Sequence, residues 1–219
     1  SESSRKDYSK LYPNARLEIV YPAVSSIFNG KIDKNLTRKI LQKYIIKKDF
    51  FLSVATIEPR KNLSGLIKAY LKSKLQNQLI LVGGAGWKNS EIKKFVQNQD
   101  RIKFVGFIPE EDLHVLYQQA LCLIYPSLYE GFGLPILEAQ ACGCPVITSN
   151  LSSMPEVAGE GAMLVNPYSI EDIMKAMVKC QNPNTKLQMV RVGYENVKRF
   201  SWKKSAKKLN FLYEKLLED

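Results

Sequence analysis

The sequence predicts an α/β fold, a parallel sheet of about six strands with helices on both faces. Three observations point there. From Phe50 onward, short apolar runs alternate with amphipathic segments. The apolar runs are continuous, as strands buried on both faces require, and helix punctuation falls between them.

The strand segments are FFLSVAT, LILVG, IKFVG, CLIYP, PVITS and Ala162–Val165. Between them lie the helical segments NLSGLIKAYLKSK, NSEIKKFVQNQ, PEEDLHVLYQQA and LPILEAQACG. Asn62 and Asn89 stand where N-caps belong, and Gly143 stands where a helix closes. Pro109 opens a helix whose next residues, Glu110, Glu111 and Asp112, suit the positive end of its dipole. Three more helices are expected over residues 170–181, 184–199 and 202–217, broken at Pro183 and at Phe200-Ser201. Before Phe50 the pattern changes to a short helix (SRKDYSKLY), an isolated strand (LEIVYPAV), a polar turn (SSIFNGK) and a basic helical stretch over residues 31–48.

The chain has 219 residues, 45% apolar and 24% charged, the balance of a soluble globular protein with room for a sizeable core. Its longest apolar runs, such as Leu79–Val82 and Cys122–Tyr125, are strand-length, far short of the roughly 20 residues that span a bilayer. The polar start, SESSRKDYSK, carries no apolar export segment. Cys142 and Cys144 flank one glycine, too close for a CxxC pair, so all four cysteines read as buried free thiols in a reducing compartment. The net charge of +11 is concentrated in residues 31–48 and 191–215. Such a charge attracts nucleic acid, anionic membrane or phosphorylated ligands. No nucleic-acid motif or interleaving of aromatic and basic residues accompanies it.

Chemistry concentrates in residues 126–148, PSLYEGFGLPILEAQACGCPVIT, which join a strand to a helix through a glycine-bearing loop. Gly131 and Gly133 let backbone approach a ligand closely, and the free N–H groups of a helix opened by Pro135 form an anion site. Glu130 in the loop and Glu138 one turn into the helix can bracket a ligand whose phosphates rest there, accepting hydrogen bonds from hydroxyls. Taken singly, each glutamate also fits a surface acid near a helix N-terminus.

This stretch closely resembles the signature of glycosyltransferase family four, a glutamate, seven residues and a second glutamate, here EGFGLPILE. The resemblance extends to SVATIEPRKN at 53–62, LVGGAGW at 81–87, FVGFIPEEDLHVLY at 104–117 and SSMPEVAGEGAMLVNP at 152–167. It implies the GT-B architecture of two Rossmann-like domains facing a cleft, of which residues 31–219 resemble the nucleotide-sugar donor domain with its C-terminal helices. Residues 1–30 resemble the tail of an N-terminal acceptor domain plus linker, the body of that domain being missing. That domain would also carry the family's catalytic histidine.

By that resemblance Arg60 and Lys61 neutralise the departing diphosphate in place of a metal, and no D-x-D pair is present. A solvated turn is the plain alternative, but this one follows a strand's carboxyl end, where open α/β sheets bind ligands. Glu138 would bind ribose hydroxyls and Glu130 the hexose near its reacting carbon. Backbone N–H groups of Phe132, Gly133 and Leu134 would hold hexose and phosphates, beside Gly131. Phe107 and Ile108 would lie along the base. Gly83 and Gly84 fit ligand contact and a plain tight turn equally well. At Ala55 the family often has glycine. His114, alone on its helix, reads as a packing or surface residue.

The implied function is retaining transfer of a hexose from a nucleoside diphosphate sugar to a hydroxyl of a glycan or lipid-linked acceptor in surface-polysaccharide synthesis. TIEPRKN resembles bacterial mannosyltransferases, so GDP-mannose leads and UDP-sugars follow, with no cofactor. The expected place is the cytoplasm, at the inner face of the membrane if the basic helices make peripheral contact with lipid. The alternative is a nucleotide-sugar epimerase, or a nucleotide-binding module of the same architecture without transferase activity. A phosphorylase would need a lysine motif for pyridoxal phosphate that is not seen.

Overall fold

A computed structural model describes residues 1–84, 86 and 99–218 of the chain, the side chain of Glu218 excepted. Its centre is one parallel sheet of six strands, β1 (Phe51–Val54), β2 (Leu79–Val82), β3 (Ile102–Gly106), β4 (Cys122–Tyr125), β5 (Val146–Ser149) and β6 (Ala162–Val165). The spatial order is β3-β2-β1-β4-β5-β6, so the chain reverses its direction of travel across the sheet between β1 and β4. Such a switch point opens a crevice at the carboxyl ends of the strands.

The inner strands that read as continuous apolar runs are buried on both faces, whereas the edge strand β6 leaves Leu164 exposed. Leu52, Ile80 and Leu123 point into one core layer with α4 (Glu110–Gln119) and α5 (Leu134–Ala141). Phe51, Leu81 and Ile124 point into the other, under α3 (Leu63–Ser73) and α7 (Ile170–Lys179). The site helix α5 is braced from behind by α8 (Pro183–Val197). Asn196 Nδ2 donates to Gln140 Oε1 at 2.7 Å and to Val157 O at 2.8 Å, satisfying a buried amide pair that would otherwise be costly. A short α6 (Met154–Ala158) and a long α9 (Trp202–Glu218) complete this part of the chain.

The sequence reading holds at Pro109, which opens α4, and at Gly143, whose φ of +69° ends α5. The expected helix NSEIKKFVQNQ and its cap Asn89 fall in residues 89–99, outside the described residues apart from Gln99. Three expectations need correcting. LEIVYPAV forms no strand, because neither sheet edge pairs with it; it packs Ala23, Tyr21 and Val24 against the core, with Tyr21 OH donating to Glu156 Oε1 at 2.7 Å. The basic helix contracts to α2 (Lys34–Lys43), capped by Asp33. Asn62 takes the left-handed conformation and leaves α3 uncapped; its Nδ2 donates instead to Pro167 O at 2.7 Å and Pro126 O at 3.3 Å. SRKDYSKLY is helical up to Leu11 in α1 (Glu2–Leu11), with Tyr12 as its C-cap.

Candidate functional site

The switch point gathers residues from the loops after β1 and β4. After β1 the chain passes through a 3₁₀ turn, Pro59–Lys61, which aims Arg60 and Lys61 along the carboxyl edge. After β4 the loop carries Glu130 and then α5, whose N-cap Gly133 has φ +108°, a conformation that favours glycine. The two loops are tied by backbone, Leu128 N–H donating to Arg60 O at 2.7 Å.

Arg60, Lys61 and Glu130 meet there. Glu130 Oε1 accepts from Lys61 Nζ at 2.5 Å and from Tyr125 OH at 2.7 Å, and Oε2 accepts from Arg60 Nη1 at 2.7 Å. Lys61 Nζ also donates to Tyr125 OH at 2.9 Å, and Arg60 Nε to Glu58 Oε2 at 2.8 Å. Glu130 is 6% exposed and Lys61 9%, so this is a buried ion cluster, whereas Arg60 reaches solvent. Burial alone would push the Glu130 carboxyl up, but hydrogen bonds from Lys61 and Tyr125 and the lysine charge outweigh it and hold it below its ordinary value.

The backbone of Glu130 is fixed as firmly. Ser152 Oγ accepts from its N–H at 3.2 Å and donates to its carbonyl at 2.7 Å. Ser153 Oγ reaches the same carbonyl at 2.9 Å and that of Phe132 at 2.7 Å. From the outside α1 adds Ser4 Oγ, donating to Gly131 O at 3.0 Å, while Tyr129 OH donates to Asp7 Oδ2 at 3.0 Å.

Glu138 stands apart from that cluster. Its Oε2 accepts from Tyr117 OH at 2.8 Å, and burial, reinforced by the charge of Glu110, pushes its carboxyl up despite that bond. The motif's two glutamates thus sit in opposite electrostatic environments. Leu134 begins α5 and leads its first-turn N–H groups onto the same edge as Gly131 and Phe132. Phe107 is 86% exposed, while the Ile108 side chain is buried in the core, leaving only its backbone for a ligand. Gly83, at φ +145°, is where a Cβ would stand 2.1 Å from Ala55 O, so loop packing alone demands glycine there; Gly84 has open space. His114 is buried against Phe28 and Gln118, a packing residue as expected. All four cysteines are free and buried. Sequence reasoning missed Tyr125, Ser152 and Ser153; the serines lay inside a quoted motif, and the tyrosine ended an apolar strand.

Comparison with known proteins follows the same outline. The family described as "Glycosyl transferases group 1" matches residues 37–196. O-antigen chain mannosyltransferase B of Escherichia coli is 35% identical over 213 residues, covering 92% of this chain and 56% of that enzyme. The sucrose-phosphate synthase structure from Thermosynechococcus elongatus superposes with a TM-score of 0.84 at 26% identity, over 100% of this chain and 57% of that one. Anabaena HepE, in a structure titled as a complex with UDP-glucose, gives a TM-score of 0.84 at 19% identity, over 98% and 63%. The chain therefore spans little more than half of these proteins.

Proposed function

We propose, from the premise that this chain belongs to the group 1 glycosyl transferases, that its residues hold the nucleotide-sugar donor for a retaining hexosyl transfer, with GDP-mannose the favoured donor. The mannosyltransferase relative supports the sugar, and the UDP-glucose complex of HepE keeps UDP-sugars second. The acceptor is a hydroxyl of a glycan or lipid-linked glycan, held by an opposing domain. That division fits the 56% of the relative that the match covers.

One observation carries the reading. At the switch point Arg60 and Lys61 already grip an anion, the Glu130 carboxylate. A sugar diphosphate arriving at the same edge offers more negative charge and more acceptor oxygens, and exchanges places with that carboxylate. The cations then neutralise the diphosphate as the bond from the anomeric carbon to its oxygen breaks. Attack comes from the same face, the acceptor oxygen bonding to that carbon while its proton passes to the leaving phosphate. Glu130, released from the cations, accepts from hexose hydroxyls, and Glu138 from the ribose. Neither is assigned as a nucleophile of the kind retaining glycosidases use. Peripheral contact with anionic lipid at the cytoplasmic face belongs to the same proposal and rests on the +11 charge.

The test is calorimetric titration of the chain with GDP, GDP-mannose, UDP and UDP-glucose, with and without EDTA, followed by a transfer assay on a lipid-linked glycan in which the product's anomer is read by NMR. GDP-mannose is expected to bind most tightly, EDTA to change affinity less than twofold, and transfer, with an α-anomer from the α-donor, to need the opposing domain. A tenfold loss in EDTA, an inverted product, or full turnover by these 219 residues alone would overturn it.

A further inference from the structure

We propose that Tyr125 is a positioning residue that keeps Glu130 ionised and aimed at the donor sugar once the diphosphate has drawn Arg60 and Lys61 away. The inference rests on the donor site argued above and adds the step which that exchange leaves open. Glu130 is held by Arg60, Lys61 and Tyr125, and two of these are the cations that the diphosphate claims. A carboxylate that is 6% exposed, stripped of both, would be an unpaired buried charge, and it would take up a proton or turn away.

Tyr125 is the partner that cannot leave. It ends the buried strand β4, its ring is 2% exposed, and its hydroxyl stands 2.7 Å from Glu130 Oε1. A phenol is neutral, so the phosphate does not attract it as it attracts an ammonium. Burial first, and then the Glu130 charge, hold that phenol protonated, which keeps it a donor. The same hydroxyl accepts from Lys61 Nζ at 2.9 Å while the ammonium stands 5.2 Å from the ring centroid. Lys61, with three N–H donors, can therefore pivot on the hydroxyl from carboxylate to phosphate without losing every partner on the way. The charged groups facing Glu130 are Arg60 and Lys61 from the turn after β1, with Glu58 behind Arg60; the neutral ones are Tyr125, bonded to it from β4, and the buried Ser127 hydroxyl.

Removing only the hydroxyl, Tyr125→Phe, keeps the ring in the core. Its expected signature is a split between ligands: GDP affinity within about threefold of the parent chain, and GDP-mannose affinity down by about tenfold, the size of one hydrogen bond to a charged group. A second readout needs no ligand. In Arg60→Ala and in Lys61→Ala, ¹³C NMR titration of the Glu130 carboxyl should show an anionic group at neutral pH, and adding Tyr125→Phe to either should move its titration upward by about one pH unit, the same tenfold. Equal loss for GDP and GDP-mannose, or an unmoved carboxyl titration, would reduce Tyr125 to a core residue. Failure of the parent chain to bind any nucleotide would instead sink the donor-site reading, and the carboxyl titration would still decide the case of Tyr125.

Discussion

The two edges of the sheet carry the same residue types and use them differently. At the carboxyl edge Arg60 and Lys61 meet one carboxylate in a buried cluster with a phenol beside it. At the amino edge a cleft of 1620 Å³ opens between α2 and the starts of β1, β2 and β3, lined by Lys34, Arg38, Lys47 and Lys48 with Asp49 and Asp100. Those four cations are exposed, and Ile45 beside them is 75% exposed at φ +51°, unusual for a β-branched residue. This open cleft is not the site with specified geometry. Burial forces each charge at the carboxyl edge to find a partner in a fixed direction. Exposed lysines satisfy themselves with water and supply only a field that salt screens.

Lys61→Ala should break the carboxyl edge most severely. Leaving Glu130 buried with one cation fewer is expected to cost about 3 kcal/mol of stability. GDP affinity should also fall by about 1.5–3 kcal/mol, the scale of a lost hydrogen bond to a charged group, with the bare nucleoside unaffected. Urea melts and calorimetry measure the two; equal loss for nucleoside and diphosphate would make Lys61 a purely structural residue.

A smaller effect separates the two glutamates. Glu138→Gln should weaken GDP and GDP-mannose alike, and Glu130→Gln only GDP-mannose, each by about tenfold. If both variants lose GDP equally, the division of roles fails.

Acidity sharpens the same contrast, because the two carboxyls shift in opposite directions from 4.5. Glu130 is lowered, so its contribution to stability is present above 4.5 and lost as pH falls through its folded value. Glu138 is raised, so its contribution is present below 4.5 and lost as pH rises through its folded value. Urea melts across that range should show Glu130→Gln flattening the acid limb, and Glu138→Gln removing the decline at higher pH. One common slope for both variants would contradict the opposed environments.

The smallest effect on the site is expected from the other edge. Lys47→Glu with Lys48→Glu should leave GDP affinity within about twofold, since the charges lie across the sheet and are screened beyond about 10 Å. Sedimentation with phosphatidylglycerol vesicles should weaken by about tenfold at low salt, with roughly 1 kcal/mol at stake for each lysine near the surface. Unchanged vesicle binding would detach this edge from the membrane.

The sheet was legible because buried parallel strands leave continuous apolar runs, and the loop EGFGLP because glycines and a helix-opening proline have local causes. What escaped notice acts at a distance. Tyr125 closes the run CLIY and reads as core; its hydroxyl matters because a glutamate five residues on folds back over it. Asn62 carries a cap residue's identity, yet its amide spans two loops that only the fold brings together. LEIVYPAV has strand composition, but a strand also needs a partner, and neither edge strand, β3 nor β6, pairs with it.

The central position of β1 bears on how the chain is made. Phe51 pairs with Leu79 on one side and with Cys122 on the other, so its two flanks are satisfied at different moments of synthesis. The half-sheet β3-β2-β1 can assemble while β4 is still unmade, leaving β1 with an open row of amides and apolar side chains, a template for pairing with the wrong chain. Parallel pairing across so long a stretch is slow to find. The join between β1 and β4 that creates the crevice is thus also a place where the nascent chain is open to aggregation and to chaperones until β4 arrives.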